Sequence, residues 1–181
     1  MVPCKNCASA LYCSDTCRNL AFDSHHQYEC NIDPSLLERD VVLRLTVLGI
    51  KEYEQNKKLG QDKFPSCGYE DIYHLKTNED KRDDAYLFEI AVTAGATFHA
   101  LKYCTKFLEE TTFDENKLKE IIFRNVLIQR TNGVTVYKSD VNMKREFVGN
   151  VLYAFSKSLQ SLLRLKLPGL FLRNEIYSDS C

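Results

Sequence analysis

Six potential metal ligands stand within twenty-seven residues near the start of this chain: Cys4, Cys7, Cys13, Cys17, His26 and Cys30. No other feature narrows the possible folds as much. Cys4-Lys5-Asn6-Cys7 has the CxxC spacing, at which a tight turn lets both sulfurs reach one tetrahedral Zn²⁺ at ~2.3 Å. Cys13 and Cys17 are four apart, and so are His26 and Cys30, the interval that places two residues on one face of a helix. A short helix over Arg18–His25, with Cys13 just before it, would bring Cys13 and Cys17 to a common metal. His25 and His26 both offer an imidazole. His26 keeps the interval to Cys30 and is preferred, which leaves His25 as a solvent-facing neighbour.

The chain has 181 residues, 44% of them hydrophobic and 27% charged, which suffices for a small finger plus one modest helical core. Of its eight cysteines, the three outside the cluster (Cys67, Cys104 and Cys181) are isolated and read as buried small side chains or exposed thiols. A disulfide framework needs a secreted context, and the first residues lack a signal-peptide pattern, so the cluster reads as a metal site in a reducing compartment. No apolar run approaches the ~18 residues of a membrane span. The formal net charge is −1, and between Cys7 and His26 the only basic side chain besides His25 is Arg18. Nucleic acid and membrane are therefore excluded as expected partners.

Downstream, apolar residues recur at helical spacing. Asp33-Pro34 suits a helix start, and Leu36, Leu37, Val41, Leu45 and Leu48 continue it to about Gln55. A loop is expected over Lys57–Gly68, which holds Gly60, Pro65 and Gly68. A long helix is expected over Asp83–Glu110, on the stripe Leu87, Ile90, Ala91, Ala94, Phe98 and Leu101. A third opens at Asp114-Glu115, carries Leu118, Ile121, Ile122 and Val126 inward, and stops near Asn132, with Gly133 as a left-handed stop. Val134–Tyr137 reads as a short strand. Phe147–Leu167 reads as a last helix ended by Pro168-Gly169. The fold class is mainly α with a small zinc-binding module in front.

The full spacing Cys4-x2-Cys7-x5-Cys13-x3-Cys17-x8-His26-x3-Cys30, with Tyr12 before Cys13 and Ser14 after it, resembles the later part of a MYND finger. That family has a further CxxC upstream and holds two interleaved zincs. The resemblance implies that Cys4, Cys7, His26 and Cys30 share one zinc, and that Cys13 and Cys17 share the other with the upstream pair. Only Met1, Val2 and Pro3 precede Cys4, so the expectation is one complete site and one half-site, in a finger weakened by the missing half.

The residues after the finger resemble the SET-and-MYND lysine methyltransferases, whose SET domain is split around a helical insert. Asp71 to Val136 looks like that insert, from Ile72-Tyr73-His74-Leu75 to Asn132-Gly133-Val134-Thr135-Val136. The resemblance implies that Asn132 helps hold S-adenosylmethionine and, more weakly, that Tyr73 contacts it. Read from the residues alone, Asn132 is a turn residue before Gly133 and Tyr73 a packing tyrosine, and both readings stay open at this stage. Gly149 and Tyr153 stand where the family has a glycine and a tyrosine ahead of its Asn-His-Ser-Cys motif. In place of that motif the chain reads Leu159-Gln160-Ser161-Leu162, so no catalytic residue is assigned. The expected organisation is a partial finger (1–31), the helical insert of a split SET domain (32–137) and a divergent tail (138–181). Together these read as a fragment of a larger methyltransferase, inactive alone. The partners implied are protein substrates or short proline-containing peptides, in the nucleus and cytoplasm.

Overall fold

The computed structural model describes residues 1–7, 10–30, 32, 40–60, 69–139 and 145–152. The expected helix start at Asp33-Pro34, with Leu36 and Leu37, lies outside them, as do Cys67, Tyr153, Leu159–Lys166 and Cys181.

The chain opens with a small hairpin, β1 (Val2–Pro3) against β2 (Leu11–Tyr12), with Val2 opposite Tyr12. A helical segment follows as α1 (Asp15–Ala21), a π-helical turn (Phe22–His26) and α2 (Gln27–Glu29). This segment starts three residues earlier than the Arg18 expected from sequence. The reason is local: the Ser14 hydroxyl, in extended backbone, accepts the Cys17 N–H at 3.1 Å and so caps the helix.

Next comes α3 (Asp40–Lys58), which runs three residues past the expected Gln55 and ends at Gly60, a glycine in the left-handed region at φ 78°. Its first turns are apolar nearly all round: Val41, Val42, Leu43, Leu45 and Val47 are buried. A helix with no polar face belongs in the interior, and α3 does sit between the finger on one side and α4 (Tyr69–Tyr73) and α7 (Glu115–Asn132) on the other. Helix α7 is capped by the Asp114 carboxylate, which accepts the N–H groups of Asn116 and Lys117. Its residues Leu118, Ile121, Ile122 and Val126 are all buried, as their spacing predicts. A bonded chain crosses this core. The Tyr69 hydroxyl donates to Asn125 Oδ1 at 2.7 Å, Asn125 Nδ2 donates to Thr46 Oγ1 at 3.1 Å, and Thr46 donates to the Val42 carbonyl at 2.8 Å. It ties α4, α7 and α3 together through three almost fully buried side chains.

The single long helix expected over Asp83–Glu110 is instead α5 (Asp84–His99), a π-helical turn (Ala100–Cys104) and α6 (Phe107–Glu110). Thr105 makes the break: its hydroxyl donates to the Leu101 carbonyl and accepts the Phe107 N–H, so it ends one helix and starts the next. Ile90 and Ala94 of α5 face inward, on a helix that packs against α7, and Leu101 is buried in the π turn that follows, whereas Ala91 is exposed. Gly133 is also not a left-handed stop. It is extended, at φ −71° and ψ 138°, and glycine is required there because a Cβ would run into the Gln129 carbonyl. The strand expected at Val134–Tyr137 forms as β3 (Gly133–Ser139). It pairs antiparallel with β4 (Arg145–Leu152), with a bulge between Val136 and Tyr137. Residues 147–152 are thus strand, not the start of the expected helix. Adjacent β-branched and aromatic residues at 147, 148 and 151 satisfy either period over so short a run, and hairpin pairing decided the outcome.

Two helical glycines separate packing from propensity. Gly95 sits on the open face of α5 with nothing near the Cβ position, while a Cβ on Gly49 would meet three Tyr69 ring atoms at 2.7–2.8 Å. Gly95→Ala is expected to stabilise the protein by about 0.5–1 kcal/mol in urea melts. Gly49→Ala is expected to destabilise it by about 1–3 kcal/mol, because overpacking outweighs the same propensity gain. Equal shifts for both would refute this account of the α3–α4 contact.

Candidate metal centre

The hairpin, the π turn and α2 together build one cluster. Cys4 and Cys7 lie at the hairpin's turn. The Cys4 N–H is bonded to the Ala10 carbonyl at 2.9 Å, and the Asn6 N–H points at the Cys4 sulfur at 3.4 Å. His26 ends the π turn, and the Cys30 N–H bonds to its carbonyl at 2.8 Å, so both side chains emerge from one face. The Cys4 and Cys30 sulfurs are 3.7 Å apart, Cys7 Sγ is 3.4 Å from His26 Nε2, and all four donor atoms lie within 4.8 Å of one another.

The separations of 3.7 and 3.4 Å match edges of a tetrahedron around zinc. Bonds of ~2.3 Å to sulfur and ~2.0 Å to nitrogen put sulfurs about 3.8 Å apart and sulfur and nitrogen about 3.5 Å apart. The electrostatics agree. Burial pushes the Cys30 thiol up to about 12, and the neighbouring Cys4 and Cys7 sulfurs push the same way. Burial also raises the Cys4 thiol, but the Asn6 and Cys7 backbone N–H groups outweigh it and bring the net value down. Several thiolates this close together need positive charge among them, which a dication supplies as the protons leave.

The imidazole is held on both sides. Tyr12 and Phe22 meet its ring edge-on, with centroids 6.0 and 6.3 Å away. On its far side Nδ1 is 3.5 Å from Glu29 Oε2, and Arg44, on α3, forks that carboxylate with Nε to Oε1 at 2.8 Å and Nη2 to Oε2 at 2.6 Å. Burial pushes Glu29 up, but the bonds from His26 and Arg44 outweigh it and hold the carboxyl at about 2. Neither Glu29 nor Arg44 was singled out from the sequence. Glu29 lies one turn after His26 and could have been noticed on that ground, whereas nothing in the sequence marks Arg44.

The sequence-chosen residues divide into two groups. Cys4, Cys7, His26 and Cys30 come together. Cys13 and Cys17 stand apart from them, with their sulfurs 2.9 Å from each other at the surface. Among the described residues no other group of three or more possible ligands converges. His25, expected to face solvent, is instead half-buried: its Nδ1 lies 2.7 Å from the Ser24 hydroxyl, and burial lowers its imidazole to about 4. Cys104 is an exposed thiol, as one of the two sequence readings had it.

Asn132 and Tyr73 both lie where α7 meets the segment after α4. Asn132 donates its two amide hydrogens to the Lys76 and Ile128 carbonyls, at 2.9 and 3.0 Å. Tyr73 is covered by the Arg124 guanidinium, 4.6 Å above its ring, while Arg124 Nε donates to the Tyr73 carbonyl. Both residues therefore have clear structural work. The finger is also bound closely to the helices: Lys51 Nζ donates to the Asp23 and Ser24 carbonyls, and the Tyr28 ring packs edge-on against Phe107, 5.2 Å between centroids. Beside the cluster, Cys4, Lys5, Asn6, Arg18, Phe22 and Asp23 line an open cleft.

Residues 1–30 match the family model of the MYND finger. The chain is also similar to the mouse (Mus musculus) protein-lysine N-methyltransferase SMYD4, at 24% identity over 169 aligned positions that take in 66% of this chain. It spans 21% of that relative's length. No solved structure matches it. The finger match and the four-donor cluster together support zinc as the metal that suits residues 1–30.

Proposed function

We propose that this MYND-finger chain supplies the zinc module and helical insert of a SET-and-MYND protein-lysine methyltransferase, in which Cys4, Cys7, His26 and Cys30 hold a structural zinc. The convergence of those four donors carries the reading. All four positions are taken by protein atoms, as in structural rather than catalytic zinc sites. The metal supplies folding free energy and fixes the relative placement of hairpin and helix. The residues around it bind, orient and bury, and none of them is assigned a role in methyl transfer.

Within such an enzyme, transfer to a lysine needs alignment of the amine with the S-adenosylmethionine methyl group in a narrow channel. The finger and helical insert would shape the surface on the substrate side. Asn132 belongs to this proposal only through its side-chain carbonyl oxygen, since its amide hydrogens serve the backbone. The purified chain is expected to bind one zinc per molecule by elemental analysis and to transfer no labelled methyl group to histone or other protein substrates. Two tightly held zincs would mean that Cys13 and Cys17 recruit further ligands, none would overturn the zinc assignment, and methyl transfer would overturn the non-catalytic role.

A second reading draws on the cleft beside Cys4. Its mixed lining of lysine, arginine and phenylalanine suits a short peptide, and a proline-containing segment would enter at low entropic cost. Fluorescence titration with labelled proline-rich peptides tests it, and Phe22→Ala is expected to weaken any binding seen.

A further inference from the structure

We infer that Arg44 and Glu29 are positioning residues for the zinc site, forming a relay that makes metal affinity depend on helix α3. This rests on the zinc reading above.

Four distances carry it. His26 uses Nε2 toward Cys7, at 3.4 Å, and turns Nδ1 toward Glu29, at 3.5 Å. A histidine ligand that gives its metal one nitrogen must carry its proton on the other, and a carboxylate at that second nitrogen fixes the tautomer and the ring plane. Glu29 is held in turn by both prongs of the Arg44 guanidinium. The side chains of His26, Glu29 and Arg44 are 5%, 9% and 10% exposed. Solvent therefore does not substitute for any of them.

Arg44 stands out within its own helix. It is buried at a position flanked by Val42, Leu43 and Leu45, where an apolar side chain would be the default. A buried guanidinium is costly and earns little net stability over an apolar residue of similar volume. Planar two-point contact with a carboxylate is what it offers that leucine or methionine does not. Since α3 is the central helix of the domain, the relay connects the metal to the core through a residue that touches no ligand of the zinc.

The test compares zinc affinity across variants of the full chain, using competition with a chromogenic chelator, alongside the absorption bands of the cobalt-substituted site and thermal melts with saturating zinc. Arg44→Met and Glu29→Gln are each expected to weaken zinc binding by about 10- to 100-fold. The double variant should lose no more than the larger single loss, because both changes cut one relay. Arg44→Lys, which keeps the charge but not the fork, should recover only part. Lys51→Met serves as a control. It removes another finger–α3 link, so its melting point should fall while its affinity stays within twofold of the parent. If Arg44→Met and Glu29→Gln also stay within twofold while melting earlier, the pair is a structural ion pair only and the inference fails. Should Arg44→Met not fold, Glu29→Gln and Arg44→Lys decide on the same criterion. A parent chain that binds no zinc would overturn the underlying zinc reading instead, a result separate from either.

Discussion

Replacing His26 with alanine is expected to weaken zinc binding by roughly a hundred- to a thousand-fold and to unfold the finger at ordinary metal concentrations. Structural zinc in small fingers is worth about 10–16 kcal/mol, so one ligand in four accounts for about 2.5–4 kcal/mol. Little else within residues 1–30 would hold them together, and their contacts with α3 and α6 are made by the helical part, at Asp23, Ser24, Tyr28 and Glu29. Their hairpin has two residues per strand, too few for independent stability, and among the described residues of the finger the buried apolar side chains are Cys4, Tyr28 and Cys30. Hydrogen exchange should show amides of residues 2–30 losing protection in the variant, and equally in the parent after chelation, while α5 and α7 stay protected. Cys13→Ser offers the contrast: its sulfur stands outside the cluster, so affinity at the main site should not change. A variant lacking His26 that binds zinc as tightly as the parent would sink the four-ligand assignment.

The second large effect lies in the core. Asn125→Ala is expected to lower stability by about 2–4 kcal/mol. The substitution removes the acceptor of the Tyr69 hydroxyl and the donor to Thr46, each within the interior, and leaves a gap where the amide stood. For a chain of this size, 1 kcal/mol corresponds to about 2–4 °C in melting temperature. A fall of about 4–16 °C with the zinc site still loaded is therefore the expected outcome. Asn125→Asp separates the causes: it keeps the volume but puts a carboxylate where Thr46 needs a donor. If both variants melt within about 2 °C of the parent, the buried chain from Tyr69 to Val42 does not hold the three helices together.

Much of the fold can be read from the sequence where a period runs uninterrupted. Helix α7 was legible in its start, its buried face and its end, because Asp114 caps it and its apolar residues repeat without conflict. The breaks were not legible. Thr105 has no special helix-breaking reputation, and only its two bonds, to Leu101 and Phe107, show why α5 and α6 separate. The strand at 145–152 was misjudged because a run of valine, phenylalanine and leucine fits two periods, and partner strand β3 settles which one applies. The metal cluster was the clearest signal, since ligand spacing is set by the short reach of a metal–sulfur bond rather than by distant packing. Its supporting shell stayed hidden for the opposite reason: Arg44 reaches Glu29 across fifteen positions of sequence, and no local pattern encodes that meeting. His25 was misplaced on the same account. Its neighbours come from elsewhere in the finger and from α3.

The π-helical turn at Phe22–His26 has a consequence for how such a sequence can drift over generations. Its defining bond joins the Gln27 N–H to the Phe22 carbonyl, one residue farther along than in an α-helix. Residues such as Asp23 touch no ligand and can be exchanged freely as far as the metal is concerned. Their number is free only here, because a π turn holds one residue more than an α turn and leaves the helix on either side nearly in phase. An in-frame loss of one codon inside it is taken up by a return to ordinary winding, whereas the same loss in the α-helical residues beside it rotates everything after it by about 100°, turning the imidazole and the last cysteine away from Cys4 and Cys7. Selection on length therefore falls on the flanking helix, and a comparison of relatives should place any single-residue gap between Phe22 and His26.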